Sequence, residues 1–191
     1  MEKIRVMILE DDPVWMKSIT DYIEKESDII VVNQASTKEE ALQSSFIYDV
    51  ALLDLTLSED DNNLSGLDVA SQLYDRGLKK IIMLTSWDET DIILESFDSG
   101  AINYVTKSSY RDIPDIIREA YYDKVSLHSD VSNLVVHELK KERKLKILTP
   151  TEREVYDLQE RGLSKPQIAQ HLFKSVETVK KQLKLIKRKI K

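Results

Sequence analysis

The sequence predicts a doubly wound α/β domain on a five-stranded parallel sheet, followed by a small all-α domain. Three observations carry that prediction. Over residues 1–122, five short runs rich in Val and Ile alternate with stretches of helical periodicity. Between Val136 and His137 the charge reverses: 12 Lys and Arg face 27 Asp and Glu before that point, and 16 face 7 after it. Beyond residue 147 three helix-start signals follow in close succession. A chain of 191 residues with 41% apolar and 32% charged residues has room for two modest domains and enough apolar surface to form their cores. The boundaries follow as 1–122, a helix-bearing linker over 123–146, and 147–191.

The five runs are Ile4–Leu9, 29–32, 50–53, 81–84 and 102–105. They are continuously apolar rather than alternating, as befits strands buried on both faces. Between them, Trp15, Ile19, Tyr22 and Ile23 recur at helical spacing, and Ile113, Ile116, Ile117, Ala120 and Tyr121 form a second apolar stripe. A sheet wound this way gathers its ligands at the carboxyl ends of the strands.

Those ends carry reactive groups. Strand one runs into Glu10-Asp11-Asp12, strand three into Asp54, strand four into Thr85-Ser86, and strand five through Tyr104-Val105-Thr106 into Lys107. Carboxylates converging in a partly buried site repel one another unless a hard divalent cation sits among them, and magnesium is the natural occupant. A lysine and a hydroxyl opposite would complement an added anion, with phosphoryl the expected one. The plainer alternative is that acidic residues after strands cap the next helix, as Asp12 before Pro13 could.

Asp11, Asp12, Asp54, Thr85 and Lys107 together resemble the five-residue site of the receiver domain of two-component response regulators. Thr85 and Lys107 are 22 residues apart, with Tyr104 at 19. The resemblance implies a flavodoxin-like fold and a phosphoacceptor at Asp54. It further implies that Asp11, Asp12, Asp54 and the main-chain carbonyl of Thr56 hold Mg2+. Thr85 would bond a phosphoryl oxygen, Lys107 would pair with the phosphoryl group, and Tyr104 would be the aromatic switch. The phosphoryl donor is expected to be a sensor histidine kinase. Three features depart from the usual receiver. The loop after Asp54 delays Gly66 to position +12 and is acidic; it reads as a solvated insertion or as a kinase-selecting loop. Ser108 replaces a proline. Trp87, two residues beyond Thr85, is expected to shield the acyl phosphate from water and slow its loss.

Residues 131–139 form an amphipathic stretch ahead of Lys140-Lys141-Glu142-Arg143-Lys144, an exposed helix passing into a tether. Order restarts with Thr149 as N-cap, Pro150 at the first helical position and Glu152 closing a capping box, and Gly162 ends that helix. Ser164 and Gln167 open a second helix, and a third starts near Ser175. There Val179, Leu183, Ile186 and Ile190 make one apolar stripe, and Lys180, Lys181, Lys184, Lys187, Arg188 and Lys191 cover the rest. This is the layout of a helix-turn-helix DNA reader; the plainer alternative is a small bundle with a solvated lysine face.

Leu148-Thr149-Pro150, Glu152-Arg153-Glu154, Gly162-Leu163-Ser164, Ile168-Ala169, Ser175 and Thr178-Val179-Lys180 resemble the LuxR-type helix-turn-helix of NarL/FixJ regulators. That likeness implies that Lys180, Lys181 and Lys184 face double-stranded DNA, with Ser175 and Thr178 seating the helix on the backbone. Gln182 reads either an adenine edge or the backbone. A fourth helix is usual in that family, and the sequence stops at Lys191: either the protein is shorter than such regulators or the sequence is truncated, and without that helix dimerisation is expected to depend more on the receiver. The expected protein is a cytoplasmic, phosphorylation-switched transcription factor, homodimeric when phosphorylated, with no enzymatic activity beyond transient aspartyl phosphorylation and self-dephosphorylation. The competing readings are a receiver-type adaptor and an aspartyl-phosphate phosphatase; Leu55-Thr56 after Asp54 lacks the Asp-x-Asp pair of the latter. Zero cysteines exclude disulfides, thiolate metal sites and cysteine nucleophiles, and the three histidines are dispersed. No run is long and apolar enough for a membrane span, and the N-terminus lacks a signal-peptide pattern.

Overall fold

Five strands, β1 (Ile4–Leu9), β2 (Ile29–Ala35), β3 (Val50–Asp54), β4 (Ile81–Thr85) and β5 (Asn103–Thr106), pair in parallel in the order β2-β1-β3-β4-β5. These come from a computed structural model that describes residues 3–43, 48–57, 64–86, 89–124 and 127–191. β2 runs three residues beyond the expected 29–32, because on an edge strand the polar Asn33 and Gln34 keep contact with solvent. β5 starts one residue later than expected: the Ile102 side chain is 39% exposed, whereas Asn103 is buried.

Side chains alternate between the two faces of the sheet, as strand geometry demands. Ile4, Val6, Ile8, Val50, Leu52, Ile82, Leu84 and Val105 pack on one face with α1 (Pro13–Ile23) and α5 (Ile113–Tyr121). Met7, Leu9, Ala51, Leu53, Ile81, Met83 and Tyr104 pack on the other with α2 (Lys38–Gln43), α3 (Ser65–Asp75) and α4 (Thr90–Asp98). A 3-10 turn, Lys107–Asp112, links β5 to α5.

The chain divides into two units, Met1–Leu134 and Val135–Lys191, with the division inside α6 (Ser129–Leu145). Residues 123–146, read from sequence as a linker, are thus shared between both units. Val131 is fully buried in the core of the first unit, with Leu127 and Leu134 packed against it.

The second unit contains α7 (Pro150–Glu160), α8 (Lys165–His171) and α9 (Val176–Lys189). Its capping follows the sequence signals. Glu152 N donates to Thr149 Oγ1 at 3.3 Å and Thr149 N donates to Glu152 Oε2 at 2.9 Å; Ser164 N donates to Gln167 Oε1 at 2.9 Å. Val155, Leu158, Ile168, Ala169, Val179, Leu183 and Ile186 form its core. Lys189, in the last turn of α9, lies 2.6 Å from Glu152 Oε2 and so fastens α9 to the start of α7.

Candidate functional site

Asp54, the last residue of β3, is 4% exposed. Lys107, the first residue after β5, donates from Nζ to Asp54 Oδ2 at 2.8 Å, and the same ammonium lies 2.7 Å from Glu10 Oε2. Glu10 follows β1 and is 1% exposed. Oxygens of Glu10, Asp11 and Asp54 all lie within 4.8 Å of one another. The sheet order explains the convergence, because β1 and β3 are neighbours at the point where the winding reverses.

One expected ligand is corrected. Asp12 turns away from this cluster to cap α1, its Oδ1 accepting from Val14 N at 2.7 Å and Trp15 N at 3.3 Å. Pro13 at the first helical position fixes that geometry, so the cap, one of the two readings open in the sequence, is what Asp12 does. Glu10 takes its place beside Asp11 and Asp54. The signal for Glu10 was available: it is the first residue past a buried strand end, whereas Asp12 stands directly before a proline.

Three carboxylates around one ammonium leave an excess of negative charge. Burial and the neighbouring Asp54 charge push Glu10 up to about 7, against the pull of Lys107. Burial also raises Asp54, outweighing the bond from Lys107. Burial disfavours the charged form of Lys107, but its bonds to Asp54 and Glu10 more than compensate and hold the ammonium above its ordinary range. A hard divalent cation would suit this all-oxygen donor set and offset the repulsion between the Glu10 and Asp54 carboxylates.

Thr85 ends β4 and is fully buried, as is Tyr104 on β5. Tyr104 lies in the core cluster with Met83, Ile93 and Val131. Thr56 is half-buried just past β3. Gly66 allows α3 to start against the end of that strand, its N–H donating to Leu55 O at 2.9 Å. Trp87 and residues 58–63 of the long acidic loop lie outside the described residues. Sequence reasoning did not single out Asp130, at the start of α6, which accepts from Thr106 N at 3.1 Å and from Thr106 Oγ1 at 2.9 Å.

In the second unit, Lys180, Lys181 and Lys184 are all exposed on α9, with Lys187 and Arg188 beyond them. Ser175 and Thr178 form the N-terminal cap of that helix: Thr178 N donates to Ser175 Oγ at 3.1 Å. Gln182 is turned inward, with its Oε1 buried, so its carbonyl oxygen does not face solvent.

The receiver-domain model of response regulators matches residues 6–118. A nitrate/nitrite response regulator protein homolog of Haemophilus influenzae is 32% identical, covering 99% of this chain and 91% of its own. The transcriptional regulatory protein LiaR of Bacillus subtilis is 29% identical, covering 93% of this chain and 86% of its own. Among solved structures, the two-component response regulator RcsB in complex with DNA superposes with a TM-score of 0.69 at 22% identity, covering 99% of this chain and 92% of that one. With a receiver over residues 6–118 and such likeness along nearly its whole length, the chain belongs to the two-component response regulators.

Proposed function

We propose that this protein takes a phosphoryl group onto Asp54 from a sensor histidine kinase and, so switched, regulates transcription by binding double-stranded DNA through α9. The observation that carries the reading is the buried contact of Lys107 with Asp54 beside Glu10 and Asp11. In the transfer, an Asp54 oxygen bonds to phosphorus as the bond from phosphorus to the kinase histidine nitrogen breaks. Lys107 neutralises charge on the equatorial oxygens and Thr85 donates a hydrogen bond, so the protein contributes positioning and electrostatics. Glu10, Asp11, Asp54 and the Thr56 carbonyl would hold Mg2+, which when bound adds charge neutralisation at the same oxygens. The acyl phosphate adds about 1.5 to 2 negative charges beside Thr85, and the buried Tyr104 is the group whose packing registers it. The modified Asp54 is short-lived, with no turnover chemistry beyond its formation and hydrolysis.

The exposed lysines of α9 and the helix-turn-helix order of α8 and α9 support the DNA half of the reading. Phosphorylation-linked homodimerisation on paired half-sites, in the cytoplasm, completes it.

The test is twofold. With acetyl phosphate and Mg2+, wild type gains the mass of one phosphoryl group and Asp54→Ala gains none; multiple turnover of small phosphoesters would instead favour a phosphatase. Duplex binding falls steeply with salt, and Lys180→Ala, Lys181→Ala and Lys184→Ala together lower the log–log salt slope by about 2 to 3. Binding unchanged by the triple substitution would favour the adaptor.

A further inference from the structure

β5 is an edge strand, so the outward side of its backbone has no neighbouring strand. The chain from Leu127 to Val131 covers that side with side-chain bonds. His128 N donates to Asn103 Oδ1 at 3.1 Å. Asp130 Oδ2 accepts from both the main chain and the hydroxyl of Thr106, and Ser109 Oγ donates to Asp130 Oδ1 at 3.2 Å. The His128 ring lies between two carboxylates, with Nε2 3.0 Å from Asp112 Oδ2 and Nδ1 3.1 Å from Asp130 Oδ2. Asp130 is thereby held on both sides of Lys107 in sequence, at Thr106 and at Ser109. Val131, the next residue, is anchored in the core.

The geometry points to a positioning role: we propose that Asp130 fixes the backbone root of Lys107, so that the first turn of α6 and the Asp54 site share one mechanical element. A lysine side chain reaches its target over four flexible methylenes, and its ammonium is only as well placed as the backbone it grows from. Here that backbone is pinned by a carboxylate carried on a different helix. A new charge on Asp54 draws on Lys107, and any shift of its root must strain or release the bonds from Thr106 and Ser109 to Asp130. Coupling of this kind is reciprocal: what stabilises the first turn of α6 also favours the Lys107 position that receives the phosphoryl group. Lys107 touches the reacting group and Asp130 acts through it.

The inference rests on Asp54 being the phosphoacceptor. The experiment uses the full chain, with Asp130→Ala and, as a variant that leaves the α6 sequence intact, Thr106→Val, which removes the hydroxyl donor. Two quantities are read: the rate of phosphoryl uptake from acetyl phosphate, and the change in amide hydrogen exchange over residues 127–134 on adding beryllofluoride and Mg2+. Wild type shows the exchange change. Both variants lose it and take up phosphoryl about tenfold more slowly, below the roughly hundredfold cost of a full 1 Å misplacement because Lys107 keeps its bonds to Asp54 and Glu10, while exchange in the β1, β3 and β4 core stays as in wild type. The inference is overturned if wild type shows no exchange change over 127–134, if both variants match wild type, or if only Asp130→Ala departs from it. That last outcome would mark a local loss of helix capping. A wild type inert to acetyl phosphate would instead defeat the phosphoacceptor reading itself, which separates the two failures.

Discussion

Gly66 faces the main-chain oxygen of Asp54 so closely that a Cβ at position 66 would lie 2.1 Å from it, and 2.7 Å from the oxygen of Leu55. Both are backbone atoms of the strand end that carries the candidate phosphoacceptor, so no side chain can move to make room. The bond from Gly66 N to Leu55 O ties the start of α3 to this same turn. Gly66→Ala is therefore expected to destabilise the receiver by about 3 kcal/mol, at the upper end for overpacking. It should also slow phosphoryl uptake by moving Asp54. The check is a urea unfolding midpoint alongside acetyl phosphate kinetics. A stable variant with wild-type uptake would show that α3 can withdraw from the strand end without cost.

The Glu10 proton gives the metal-free receiver a distinctive pH dependence. In the folded state burial holds this carboxyl up to about 7, whereas its ordinary value is 4.5. The folded state thus binds more protons than the unfolded chain between those limits. The stabilisation it brings is fully present below 4.5, declines as pH rises, and is gone above about 7. In chelator, wild type should lose about 2 kcal/mol between pH 5 and pH 8 relative to Glu10→Gln, whose amide does not titrate. Mg2+ should stabilise wild type more at pH 8 than at pH 5, because the cation and the proton compete for the same oxygens. Urea midpoints at the two pH values decide it: parallel pH responses of wild type and Glu10→Gln would mean that Glu10 ionises without cost.

How far the sequence discloses this protein depends on the range of the interaction concerned. Strand cores and capped helices were legible because their signals are local: continuous Val and Ile runs for β1 and β3, and Thr149-Pro150 with Glu152 for α7. The site was legible in part, because reactive residues at strand ends are brought together by winding alone. Asp12, expected in the carboxylate cluster, caps α1, and Glu10 stands in the cluster instead, a difference two residues wide. Both follow β1, and the direction of each side chain separates a capping carboxylate from a buried one, a difference to which Pro13 after Asp12 is a local clue. Asp130 was illegible because its partners, Thr106 and Ser109, are more than 20 residues away and lie on the edge of a sheet whose order must be known first.

Phe173 provides a last case, where the fold overrides local preference. α7 ends with Gly162 at φ +82, with Gly162 N donating to Gln159 O at 2.9 Å and Leu163 N to Leu158 O at 3.2 Å. α8 ends with the same pair of bonds, Phe173 N to Gln170 O at 3.3 Å and Lys174 N to Ala169 O at 2.8 Å, yet the left-handed position is occupied by a phenylalanine at φ +51. Its side chain is 98% exposed, so no packing offsets the strain. A non-glycine residue held there costs about 1 to 3 kcal/mol, against about 0.5 to 1 kcal/mol of added chain entropy for glycine. The strain outweighs the entropy, and Phe173→Gly should stabilise the second unit by about 1 kcal/mol, whereas Phe173→Ala, still strained, should gain little. Amide exchange at Val179, Leu183 and Ile186, read in the full chain, should slow about fivefold in Phe173→Gly alone. Equal protection in the glycine and alanine variants would locate the effect in the lost aromatic ring rather than in the backbone.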